Sequence, residues 1–282
     1  MRYLIINADD FGYNAETNKA ISELFAKGLI TSTSLIAGAP AAKEAATLSV
    51  KHNFPVGVHL TINSDEGAPF KSILPSPSLC DKNGVFHYSQ KDITFHAKSR
   101  EVSAEIEAQY QFLKEIGCTV DHCDNHCGTL YGINGRLFFV NAFRFCRDNN
   151  LPFRFPRQPD FLRRQFGGKL PAPLGWAMKA IAALGVKMGV KMLDDMITNP
   201  FSHPQSYEEL RDYYISEIKA SKHAVTEVFL HPSYSAGEVV ADNGWTKREN
   251  ELRLLQSGDL LQAAEDCGIE LATWYRAFSS QD

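Results

Sequence analysis

The 282-residue chain has no basic excess: 29 lysines and arginines stand against 33 acids, a formal charge of −4, with a pI near 6.1. Phosphate-rich partners call for a cationic surface, so nucleic acid is not an expected ligand. Long apolar runs are also missing. No uncharged stretch reaches the ~18 residues of a membrane helix, and the segment between Met1 and Asp9 is too short for a signal-peptide core. No membrane association is expected, and the expected location is the cytoplasm. Six cysteines, at positions 80, 118, 123, 127, 146 and 267, lack the dense spacing of a disulfide framework and read as reduced thiols. A Gly-rich turn after the first apolar run, the signature of a dinucleotide-binding open sheet, is absent too.

The chain does contain a repeating alternation of short β-branched runs and longer stretches of helical period, which marks an α/β fold on a parallel sheet. Strands are expected at 3–8, 31–37, 56–61, 119–123, 151–155, 227–230 and 269–273. Helices are expected at 15–28, 40–53, 98–117, 135–150, 176–193, 206–221 and 252–267. In the third helix Val102, Ile106, Leu113 and Ile116 form one stripe, as a helix covering a sheet requires. Seven or so βα units in this length predict a distorted (β/α) barrel, TIM-barrel-like, as a single domain over 1–282. Two irregular segments interrupt the rhythm, near 63–92 and 163–195, and such insertions often wall an active site. Apolar surface on the 176–193 helix could join two subunits as a homodimer.

The first strand runs into Asn7, Asp9 and Asp10, and in a parallel barrel polar groups collect at the carboxyl ends of strands. Capping of the helix near Ala15 is the plainer reading for one aspartate. For two in succession it is weaker. The third strand closes with GVHL and His59, the fourth with VDHCDNHCG, and the sixth with VFLHP and His231. A lone buried histidine is usually a hydrogen-bonded core residue, but three at equivalent strand ends predict convergence on one mouth. Asp10, His59 and His126 are assigned to a divalent cation, since a carboxylate with two imidazoles suits Zn²⁺, Mn²⁺ or a similar ion. Successive residues on a strand point opposite ways, so Asp9 can serve as a base beside Asp10. A rival reading gathers His122, Cys123, His126 and Cys127 around structural zinc, although CxxC spacing and a second cluster are lacking.

Taken together, NADDFG at 7–12, TSTSLI after the first helix, GVHL around His59, HCDNH and the HP at His231 resemble the YdjC-like carbohydrate deacetylases, which include chitooligosaccharide deacetylase. The resemblance runs in order through most of the chain. It implies a distorted (β/α) barrel and one divalent ion, Mg²⁺ or Zn²⁺, on Asp10, His59 and His126. It further implies Asp9 as catalytic base and His231 as catalytic acid. The implied substrate is a small acetylated sugar, the N-acetylglucosamine units of chitin-derived oligosaccharides, from which acetate is released. Many relatives carry further histidines where this chain has Gly128 and Leu130, a departure that bears on the sugar-contacting wall. The alternatives are a metal-dependent hydrolase of another amide or a phosphoester, and a sugar-binding protein without turnover. Arg154 and Arg157 could grip a sugar hydroxyl or phosphate, or be solvated surface charges. Asp124 could orient His126 or His122. Trp176, Tyr131 and Trp245 could stack on sugar rings or simply pack.

Overall fold

The computed structural model describes residues 1–65, 67–132, 135–200, 206–234 and 245–279. In chain order the elements are β1 (Tyr3–Phe11), α1 (Ala15–Ala26), β2 (Ser32–Leu35), α2 (Ala42–His52), β3 (Val56–Leu60), α3 (Gln90–His96), α4 (Ser99–Ile116), β4 (Val120–Asn125), α5 (Phe139–Asp148), α6 (Asp160–Gln165) and α7 (Ala172–Lys187). They continue with β5 (Asp195–Ile197), α8 (Tyr207–Ala220), β6 (Val225–Leu230), α9 (Trp245–Ser257), α10 (Asp259–Asp266), β7 (Glu270–Leu271) and α11 (Trp274–Ser279).

The strands form a seven-stranded sheet in the order β4-β3-β2-β1-β6-β5, with β7 also on β1. Pairing is parallel between β1 and β6, β1 and β7, β3 and β4, and β5 and β6. The α/β fold on about seven parallel strands that the sequence predicts is therefore the one the chain adopts. Its membership differs at one strand. Residues 151–155 contribute only an isolated bridge, Phe153 to Cys123, and the seventh strand is instead β5, whose three residues are too few to show a period of two. The last expected helix is two, broken at Gly258, whose φ of 78° no helix interior accepts.

Two compact units divide the chain, one of residues 1–9, 19–33 and 155–282, the other of residues 10–18 and 34–154. In the first, Tyr3 to Ala8 lie in register with Val225 to Leu230. Leu4, Ile5 and Ile6 are buried there, as are Leu210, Tyr214 and Ile218 of α8 and Leu260 and Ala264 of α10. In the second, Val56, Val58 and Leu60 of β3 are buried, and Val102, Ile106 and Leu113 of α4 turn inward as their spacing predicts. Gly57 is required in β3 because a Cβ there would come within 2.3 Å of the His122 ring. The 63–92 segment is tied to α4: Glu105, fully buried, accepts the Ser72 hydroxyl at 2.6 Å and the Ile73 backbone N–H at 2.9 Å.

Candidate active site

The two aspartates that follow the first apolar run do not end the strand, because β1 continues through both to Phe11. The chain turns at Asp10, whose φ is +69°. The turn is held by the Tyr13 N–H donating to the Asp10 carbonyl at 2.9 Å and the Gly12 N–H donating to Asn18 Oδ1 at 2.8 Å. Asn14, whose Oδ1 accepts the Thr17 N–H, caps α1. The capping alternative for the aspartates therefore fails.

Asp10, His59 and His126 belong to one unit, and all three are buried. Asp10 Oδ1 lies 3.4 Å from His59 Nε2 and 3.4 Å from His126 Nδ1, and those two nitrogens are 3.3 Å apart. Three donors bound tetrahedrally to one ion at ~2.0–2.2 Å would stand ~3.3–3.6 Å from each other, so the triangle has the size and the hard-plus-imidazole composition of a divalent cation site. The outer nitrogens of both rings are fixed by carboxylates. His59 Nδ1 is 2.7 Å from Asp124 Oδ1 and 3.2 Å from Ser34 Oγ, and His126 Nε2 is 2.8 Å from Asp65 Oδ1. Such partners hold an imidazole in one orientation with its other nitrogen free for a metal.

Asp124 is itself anchored by Arg154, which places a guanidinium nitrogen 2.9 Å from Oδ2. Burial opposes ionisation of Asp124, but the charges of Arg154 and His59 outweigh it and hold the carboxyl well below the usual range. At His126 burial favours the neutral ring, whereas Cys127, Asp65 and Asp10 favour the cation and win. The Asp10 and Asp65 carboxylates on opposite edges of the ring are the electrostatic counterpart of a cation site.

Asp9 and His231 lie in the other unit. Asp9 is buried, and its Oδ1 accepts from Asn7 Nδ2 at 2.8 Å, while Oδ2 is 3.8 Å from His231 Nε2. Behind His231, Glu251 Oε2 accepts the His231 backbone N–H at 2.7 Å and lies 3.5 Å from Nδ1. Burial raises the Glu251 pKa, but Lys247 and His231 reverse the shift and bring it down to about 2.

Several sequence expectations change. Asp124 orients His59, not His126 or His122. Arg154 is neither a sugar grip nor a surface charge, being 2% exposed and spent on Asp124, and Arg157 pairs with Asp194. The four-residue zinc reading fails: His122 bonds Asp121 at 2.7 Å, and Cys123 is buried beside Cys146. Trp176 is 72% exposed, Tyr131 donates its hydroxyl to the Arg154 carbonyl, and the Trp245 side chain lies outside the described residues. Sequence reasoning did not find Glu251 or Asp65. Both are acids in polar surroundings, where only the fold reveals a histidine facing each.

The chain thus joins an α/β fold to a buried Asp–His–His cluster whose donor spacing matches that of a divalent cation site. Residues 3–266 match the YdjC-like protein family, and the chain belongs to that family. A carbohydrate deacetylase of Geobacillus stearothermophilus is 36% identical over 98% of both chains. A chitooligosaccharide deacetylase of Proteus mirabilis is 27% identical over 96% of this chain and 97% of its own. A solved structure from Enterococcus faecalis V583 superposes with a TM-score of 0.77 at 27% identity, covering 98% of each.

Proposed function

We propose that the chain is a metal-dependent carbohydrate deacetylase that hydrolyses the N-acetyl group of N-acetylglucosamine units in small chitin-derived oligosaccharides. The observation that carries the reading is the triangle of Asp10 Oδ1, His59 Nε2 and His126 Nδ1, with edges of 3.3–3.4 Å. The names of the relatives, carbohydrate deacetylase and chitooligosaccharide deacetylase, support this choice of substrate class. A divalent ion on those three residues would polarise the acetyl carbonyl and make hydroxide available near neutral pH.

The remaining steps belong to side chains. Asp9 takes the proton of the attacking water, with Asn7 holding Oδ1 so that the carboxylate keeps one orientation. His231 protonates the departing amine, without which the nitrogen would leave as an anion. Glu251, ionised behind His231, keeps the ring turned toward Asp9. Asp9 and Asp10 are consecutive residues, so the base and the cation ligand come from the same turn of chain. General acid or base action contributes ~10²–10⁴-fold. Asp9→Asn and His231→Ala should each lose turnover on that scale.

The test is to incubate N-acetylated mono-, di- and trisaccharides with protein that is metal-stripped or reloaded with Zn²⁺ or Mg²⁺, following the mass loss of one acetyl and the release of acetate. Metal-dependent loss that disappears in Asp9→Asn supports the reading. Binding of the sugars with no acetyl released under any metal would leave a sugar-binding protein without turnover. Hydrolysis of an unrelated amide or a phosphoester alone would move the chain to a different hydrolase.

A further inference from the structure

The sulfur that the sequence placed near the histidines does take part in a cluster, though a different one. Asp65, His126 and Cys127 bring a carboxylate oxygen, a ring nitrogen and a thiol within 4.8 Å of one another, all in one unit. Asp65 Oδ1 is 2.8 Å from His126 Nε2 and 3.5 Å from Cys127 Sγ. The chain reaches this arrangement by an abrupt turn after His126, with φ of 52° at Cys127 and 67° at Gly128. Cys127 is exposed, whereas Cys80, Cys118, Cys123 and Cys146 are buried and Cys267 is half-buried. The nitrogen used here is Nε2, on the opposite edge of the ring from the Nδ1 that faces Asp10 and His59.

We propose that Asp65, His126 Nε2 and Cys127 form a second cation site, sharing only His126 with the Asp10–His59–His126 triangle and selective for soft divalent ions such as Zn²⁺ or Cd²⁺. The selectivity comes from sulfur: thiolate with imidazole favours zinc and its heavier relatives over Mg²⁺, which prefers oxygen alone. The dimensions suit the ion. With bonds of ~2.3 Å to sulfur and ~2.1 Å to oxygen, a tetrahedral centre sets S and O ~3.6 Å apart, close to the 3.5 Å between Cys127 Sγ and Asp65 Oδ1. The nitrogen–oxygen edge must widen from 2.8 Å to ~3.4 Å, as it does when an ion replaces the proton between them. Two protons leave for each ion that enters, one from Cys127 Sγ and one from His126 Nε2. Three protein ligands leave a fourth position for water.

The consequence for turnover rests on the deacetylase reading: an ion at this site recruits His126 as a bridge, so excess zinc slows the reaction. Binding itself does not depend on that reading, and the experiment measures binding. Metal-stripped full-length protein is titrated with CdCl₂ while the ultraviolet sulfur-to-cadmium charge-transfer band is followed, with MgCl₂ as a parallel titrant. The expected result is a saturable band from one thiolate per chain, undisturbed by Mg²⁺, absent in Cys127→Ser and retained in Asp10→Asn. Loss of a mere supporting partner costs a metal site ~10–100-fold in affinity, so Asp65→Asn should raise the half-saturating cadmium concentration at least ~10-fold. No band in the parent, a band that survives Cys127→Ser, or a band that vanishes in Asp10→Asn overturns the site. Cys127→Ser changes one exposed atom, and its circular dichroism, matched to the parent, keeps the comparison valid.

Discussion

Glu251 Oε2 accepts the backbone N–H of His231 at 2.7 Å and lies 3.5 Å from the Nδ1 of the same residue. One buried carboxylate thus fixes both the chain and the ring of the proposed acid. Glu251→Gln keeps the shape and an acceptor but removes the charge beside the His231 ring. Turnover should fall ~10–100-fold, below the ~10²–10⁴-fold that general acid catalysis supplies in full, with KM nearly unchanged because Glu251 is fully buried. Steady-state kinetics on N-acetylated oligosaccharides separate the two constants. Equal losses in kcat for Glu251→Gln and Glu251→Asp would argue against a charge-positioning role.

The same carboxylate gives stability a pH dependence of defined sign. Its pKa falls from an ordinary 4.5 to about 2 on folding, so the unfolded chain binds the proton more readily than the folded one. The stabilising contribution is complete above pH 4.5, and it is lost as pH falls through about 2. Urea titrations from pH 6 down to pH 2 should show a steeper loss of stability in the parent than in Glu251→Gln. Parallel curves would mean that the carboxylate is as easily protonated folded as unfolded.

Asp124 links the core to the triangle, since it bonds His59 Nδ1 at 2.7 Å while Arg154 holds its other oxygen. Asp124→Asn leaves the three proposed ligands in place, weakens the support of the His59 ring and takes the carboxylate charge away from Arg154. Metal affinity should drop ~10–100-fold, as read by competition with a chromogenic chelator. Activity at saturating metal should recover substantially. Unchanged affinity would show that Ser34, 3.2 Å from the same nitrogen, suffices to orient His59.

What could be read from the sequence follows from where each residue sits on its element. His59 and His126 stand at the ends of the paired strands β3 and β4 within one unit, and a parallel pair brings carboxyl ends together whatever the intervening loop does. The α4 stripe of Val102, Ile106 and Leu113 was legible because a helical period of buried residues survives in one dimension. Glu251 was not, for RENELRLLQ looks like a solvated helix face until α9 turns that acid inward beneath His231. Arg154 likewise depends on a pair of buried charges 30 residues apart, and Asp65 on a loop with no periodicity. The strand β5 escaped because three residues carry too little pattern to separate from their surroundings.

The Arg154–Asp124 pair makes the last expectation, one about stability rather than chemistry. Both side chains are nearly inaccessible, at 2% and 0% exposure, so removing one strands the other in a medium that penalises a lone charge. Arg154→Met should cost ~3–5 kcal/mol, visible as a lower urea midpoint. Asp124→Asn with Arg154→Met together should cost less than Arg154→Met alone, since the double variant buries no unpaired charge at this position. Additive losses would mean that the guanidinium stabilises the unit through packing and through its other contacts, with its charge on Asp124 contributing little.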